Sequence, residues 1–223
     1  MNKRLWIVFA VLVLVALGGL IVWKKSGEVD LQKLITMADL EEGEIPDHFR
    51  GNLDAKVIVI QYADFACVHC AQMSSTYDKI FADYEDRVLF IYRNFSLKYP
   101  SSTITQSAAE AVYLLGGEAA YWQMHDLLFQ DDLTWTSSAV PDNQHELLAS
   151  FAEEIGLDVD DFFKAIDDYQ ENGILDKMDR DKRAGLKATV TGTPTWFVNS
   201  RKLDGSSDSI IRTAIDNALK TTE

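Results

Sequence analysis

The 223-residue chain contains only two cysteines, Cys67 and Cys70, so no framework of structural disulfides can hold it. No third cysteine completes a zinc site, and His48, His125 and His145 stand far apart with no ligand-like spacing. Basic residues are scarce, 21 against 35 acidic ones. Four of the 21 fall in residues 1–25, which hold no acid, so the remainder stands at 17 against 35, a net charge of −18. That balance excludes nucleic-acid binding, or attraction to anionic lipid head groups, through a basic surface. It fits a solvated acidic surface that keeps the domain soluble. Internal repeats are also lacking.

A membrane-length apolar run occurs once. Leu5 to Trp23 is 19 residues without a charge, which at helical rise spans roughly 30 Å of hydrocarbon. Lys3 and Arg4 precede it and Lys24 and Lys25 follow, so flanking charge does not set its orientation. Ala16 and Gly18 offer small residues for signal cleavage, but the run continues through Leu20 to Trp23, so a retained signal-anchor is expected. No cysteine follows it, which excludes a lipoprotein-type attachment site.

The expected organisation is a cytoplasmic tip and transmembrane anchor at 1–25 and a spacer or N-terminal extension at 26–54. An α/β domain split between 55–100 and 174–223 follows, with an inserted helical domain at 101–173. Val57 to Ile60 is a continuous β-branched run and Val88 to Tyr92 a second apolar run. Between them Met73, Tyr77, Ile80 and Phe81 recur at helical spacing. This strand, helix, strand unit requires parallel strands and puts the cysteines at the carboxyl end of the first. In the middle, Ala108, Ala111, Val112 and Leu115 predict a helix ending at Gly116-Gly117, and Leu148, Phe151, Ala152 and Ile155 one ending at Gly156. Ala119 to Phe129 predicts another, and Phe162, Ile166 and Tyr169 a fourth. Thr195 to Val198 and Lys202-Leu203 then flank a tight turn at Asn199-Ser200, and Ile211, Ala214, Ile215 and Ala218 give a final helix.

Cys67-Val68-His69-Cys70 falls at the strand-to-helix junction. There the first sulfur meets unpaired N–H groups and the positive end of a helix, which favour a thiolate. His69 adds a candidate positive charge. Cys67 is therefore the expected nucleophile and leaving group, and Cys70, farther into the helix, the partner thiol. A bridge closing so short a loop adds little stability, so the pair reads as chemistry. Downstream, Gly192-Thr193-Pro194-Thr195 places a proline at the start of a strand.

Cys67-Val68-His69-Cys70 preceded by Asp64-Phe65, together with Thr193-Pro194-Thr195, resembles the thioredoxin superfamily and specifically its DsbA-like thiol-disulfide oxidoreductases, over roughly Ala55 to Leu219. The resemblance implies a thioredoxin-like α/β fold with an inserted helical domain, here beside one N-terminal transmembrane helix. It implies a cis Pro194 near the sulfurs, and a Thr193 backbone that pairs with an extended substrate segment. It also implies a protein disulfide oxidoreductase without cofactor or metal, which introduces disulfides into reduced or misoxidised exported proteins. A quinone-coupled membrane protein of the DsbB or vitamin K epoxide reductase type would reoxidise it. Val68 stands where many relatives have proline and Gln61 where a carboxylate is frequent; Asp64 matches the family's acidic position. Val68 and Asp64 are therefore candidate redox-tuning residues, with a helix cap or solvent-facing loop residue as the other reading of Asp64.

The oxidase reading requires an oxidising compartment, hence a single-pass protein of the cell membrane with its catalytic domain outside the cytoplasm. Two alternatives stand beside it: a reductase or isomerase of the same fold, and an anchored copper metallochaperone using Cys67, Cys70 and a histidine. Trp122 and Trp135 are candidate liners of a substrate groove, with core residues as the other reading.

Overall fold

A computed structural model describes residues 45–97, 100–130 and 143–222. The expected anchor, Trp135 and most of the 26–54 segment lie outside them. Among the described residues no helix is long and apolar enough to cross a membrane.

The two apolar runs form β2 (Val57–Ala63) and β3 (Val88–Asn94), and the helix between them, α1 (Val68–Tyr84), returns the chain so that they pair in parallel. Every residue of β3 is buried, as expected for a strand covered on both faces. The chain continues as α2 (Pro100–Gln130), α3 (Gln144–Ile155), α4 (Val159–Asp167), α5 (Ile174–Lys187), β4 (Thr195–Val198), β5 (Arg201–Lys202) and α6 (Asp208–Thr222). β4 pairs antiparallel with β2 and with β5. A strand absent from the sequence reading, β1 (His48–Gly51), pairs antiparallel with the far side of β3, so the sheet order is β1-β3-β2-β4-β5.

β1 lies within the segment expected to be a spacer or N-terminal extension and gives it a strand that the sequence pattern does not show. Four residues are too few to display a period, and this strand is held from outside. Glu118 of α2 accepts the Phe49 N–H at 2.6 Å, and Trp122 Nε1 donates to the Phe49 carbonyl at 3.0 Å. These contacts use the edge groups that would otherwise invite pairing with another chain. Before β4 the expected 174–223 segment also opens with a helix that the apolar pattern does not show, α5.

Alternation along the strands separates two faces. Val57, Val59, Ala63, Val88, Phe90, Tyr92, Trp196 and Val198 join one core with both cysteines, α1, α6 and the inserted helices. Ile60, Tyr62, Leu89, Ile91 and Phe197 pack on the other side with Phe95, Ala188 and Val190. The insertion is thus continuous with the core beneath the sulfurs. Its predicted breaks appear as left-handed glycines: Gly117 (φ 72°) interrupts α2, and Gly156 (φ 88°) caps α3.

Candidate active site

β2 ends at Ala63 and the chain turns at once into α1. Asp64 makes that turn: its carbonyl accepts the Cys67 N–H at 2.9 Å and its carboxylate the Ala66 N–H at 3.0 Å. The same carboxylate accepts the Leu97 N–H and the Ser102 hydroxyl, each at 2.7 Å, tying the turn to the start of α2. Asp64 is fully buried, which overturns its reading as a solvent-facing or helix-capping residue; Cys67 occupies the cap position instead. Burial pushes the Asp64 carboxyl up, against the three hydrogen bonds that favour its ionised form.

Cys67, with extended backbone (φ −89°, ψ 116°), precedes the first turn of α1, and Cys70 lies one turn in. Both are free thiols. The Cys67 pKa falls to about 6, chiefly because Cys70 hydrogen-bonds to its sulfur; burial opposes this, and Thr193 and the backbone N–H groups of Cys70 and His69 reinforce it. Cys70 is pushed well above its usual value of 9.0, by burial first and then by the neighbouring Cys67. Near neutral pH the first sulfur is therefore ionised and its partner protonated.

The other motif arrives at the same sulfur. The Thr193-Pro194 peptide is cis, and the Thr193 carbonyl lies 3.4 Å from Cys67 Sγ, which donates to it as a thiol. Val68 and His69 are exposed on the rim, and His69 meets the thiolate through its backbone N–H. Trp122, offered as a groove liner, is a core residue: its indole is capped by the Arg50 guanidinium at 4.5 Å and donates to Glu118 at 2.9 Å.

The other histidines are engaged elsewhere. His48 donates to Glu110 at 2.8 Å and Glu118 at 3.2 Å, His125 Nδ1 lies 2.8 Å from Asp126 Oδ1, and His145 stacks on Phe163. Among the described residues no group of three His, Cys, Asp or Glu is placed to hold a metal. A second polar assembly had no signal in the apolar pattern. Asp47 accepts from Arg93 at 3.0 Å, and Lys177 joins Asp181 at 2.6 Å and Asp47 at 3.5 Å, all buried. The i,i+4 spacing of Lys177 and Asp181 was its only trace in the sequence.

A helix-capping, acidic cysteine with a shielded partner one turn later, met by a cis-proline loop across a sheet, defines a thioredoxin-like dithiol site. The family model described as Thioredoxin matches residues 44–217, and the chain belongs to that family. The solved structures it resembles include BdbD from Bacillus subtilis (TM-score 0.67, 22% identity, 78% of this chain and 93% of that one). Alpha-DsbA1 from Wolbachia pipientis is similar (TM-score 0.66, 23% identity, 78% and 92% covered), so the fold is that of DsbA-like proteins with a helical insertion. Among curated proteins, the Na(+)/H(+) antiporter NhaA 3 of Salinispora tropica is 34% identical over 161 residues, 71% of this chain and 22% of that protein. The chain spans about a quarter of the length of the curated relatives it matches.

Proposed function

We propose that the protein is an extracytoplasmic thiol-disulfide oxidoreductase that introduces disulfides into exported proteins through Cys67 and Cys70. The observation that carries this reading is the opposite displacement of the two thiols, Cys67 to about 6 and Cys70 upward. In the oxidised protein a substrate thiolate attacks Cys67, the Cys67–Cys70 bond breaks, and Cys70 leaves with the electron pair and takes up a proton. A second substrate thiolate then attacks the substrate sulfur of the mixed disulfide. Cys67 departs as a stabilised thiolate, and that stability favours the reduced protein and hence donation of the disulfide. Thr193 and Pro194, beside the attacked sulfur, are the proposed seat of an extended substrate segment.

The Leu5 to Trp23 run is the proposed anchor, with the catalytic domain on the oxidising side of the cell membrane. The likeness to relatives named as membrane antiporters supports membrane association. A quinone-coupled partner of the DsbB or vitamin K epoxide reductase type is proposed to restore the disulfide. Equilibration with glutathione buffers tests the direction of electron flow. A couple more oxidising than glutathione is expected, whereas a potential near that of thioredoxin, about −270 mV, would make the protein a reductase. Alkylation of Cys67 against pH, with an expected midpoint of about 6, tests the cause.

A further inference from the structure

Among the described residues, Cys67 opens α1 without the support that a helix start ordinarily has: its side chain makes no capping hydrogen bond, and the first turn holds no acid. The N–H groups of that turn are thereby left to the sulfur, and those of His69 and Cys70 help to lower its pKa. The turn from β2 into α1 is held instead by the buried acid before it. The Asp64 carbonyl accepts the Cys67 N–H at 2.9 Å, Asp64 Oδ1 accepts the Ala66 N–H at 3.0 Å, and the Asp64 backbone also reaches the Cys70 thiol by a hydrogen bond.

The second carboxylate oxygen is bound by a different part of the chain. Asp64 Oδ2 accepts the Leu97 N–H and the Ser102 hydroxyl, each at 2.7 Å, so a single side chain joins the nucleophile's turn to the start of α2. The far end of this link is itself fixed. Ser102 is fully buried, and Lys182 of α5 donates to the Ser96 carbonyl and stands 3.7 Å from the centre of the Phe95 ring. The charged and titratable groups that face the carboxylate from neighbouring elements are Lys182, which favours its ionised form, and Tyr92 of β3. Bonds from three donors to a carboxylate are charge-assisted, and therefore shorter and stronger than neutral ones.

Resting on the dithiol reading above, we propose that Asp64 and Ser102 are positioning residues of the exchange: together they form a clasp that fixes the Cys67 turn against the helical insertion and keeps the α1 N–H groups and the Cys70 thiol aimed at the reactive sulfur. Their side chains act through the backbone of Ala66, Cys67 and Leu97. A thiolate draws its stability from donors whose direction matters. A turn freed from α2 loses part of that stability while both cysteines stay in place, so the reactivity of Cys67 depends on how the insertion begins.

The test is alkylation of Cys67 against pH in the full-length reduced protein, with Asp64→Asn and Ser102→Ala beside wild type. In Asp64→Asn the amide oxygen still accepts the Ala66 N–H, but the NH2 group meets the Leu97 N–H, donor against donor. Ser102→Ala removes one bond of the clasp and leaves the carboxylate charge in place. At pH 5 Asp64→Asn is expected to alkylate roughly tenfold more slowly than wild type and Ser102→Ala about threefold more slowly, whereas at about pH 9, where the thiol is ionised in all three, the rates agree. Deleting a buried negative charge would by itself favour the thiolate and speed the reaction at pH 5. Faster alkylation of Asp64→Asn, or profiles that stay in place while the melting temperature falls, would overturn the clasp and leave the exchange reading standing. Ser102→Ala carries the test alone should Asp64→Asn fail to fold. A wild-type Cys67 that ionises like a free thiol would overturn both.

Discussion

The centre of the sheet beneath the sulfurs and the ionic cluster where α5 meets β3 treat buried polar groups in opposite ways. Beneath the sulfurs, Gln61, Tyr92 and Trp196 keep polar atoms without partners, and the thiols they border are displaced in opposite directions. Where α5 meets β3, the buried charges are paired: Arg93 with Asp47, and Lys177 with both Asp47 and Asp181. Burial pushes Asp47 up, but Arg93 and Lys177 outweigh it and hold the carboxyl below its usual value. A satisfied ionic network fixes one arrangement of β1, β3 and α5, whereas unsatisfied buried groups hold no such arrangement by hydrogen bonds. The comparison separates the residues that locate the site from those that border its sulfurs.

The largest effect expected is on the ionic side. Arg93→Met strips Asp47 of its hydrogen-bonded guanidinium, leaving it buried beside Lys177 and the more distant Arg180, and removes a donor to the Tyr62 hydroxyl. Breaking a buried pair in this way costs about 3–5 kcal/mol, read as a lower urea midpoint. The Cys67 alkylation midpoint of the folded fraction should stay at about 6. If that midpoint moved with stability, the two regions would not be separable.

An intermediate effect comes from His48, where β1 meets α2. Burial lowers its pKa, yet Glu110 and Glu118 outweigh burial and raise it above 6.5; Glu110 is held below 4.5 because His48 outweighs its own burial. The raised histidine contributes stability that is complete below pH 6.5 and is lost as pH rises through its folded pKa. The depressed carboxyl contributes stability present above pH 4.5 and lost as pH falls through its folded value. His48→Gln is therefore expected to cost about 2 kcal/mol near pH 6 and to flatten the alkaline decline. Urea titrations of the disulfide form are the measurement, because Cys67 in the dithiol form stabilises the fold in the opposite sense as pH rises. An alkaline decline identical in the variant would remove His48 from the account.

The same contrast explains what the sequence made legible. The β2-α1-β3 unit, the sulfurs at its turn and the Thr193-Pro194 loop follow apolar periods and spacings that water alone enforces. α5 did not, because its buried face includes Lys177 and Asp181 beside Ile174 and Met178, and a charged helix reads as solvated until its partners are known. Arg93 and Asn94 extend β3 beyond the apolar run for the same reason: Asn94 is buried through Glu110 and Asp181. Asp64 looked like a cap because its partners Leu97 and Ser102 lie more than thirty residues away. His125 had only the adjacent Asp126 as a signal, and its aromatic surroundings come from β3, α1 and α2 together.

The smallest effect sharpens the comparison most. Gln61→Met replaces a buried amide whose Oε1 has no partner by an apolar side chain of similar length. Deleting an unsatisfied acceptor offsets the lost dipole, so stability is expected to change by less than ~1 kcal/mol, against several for Arg93→Met in the ionic cluster. The amide is also uncharged and absent from the main causes that set either sulfur, so the Cys67 midpoint should again stay near 6. Urea denaturation and alkylation on one preparation give both numbers. A loss as large as that of Arg93→Met would mean that Gln61 is tied into the fold as firmly as the ionic cluster, and the division between the two regions would fail at the centre strand.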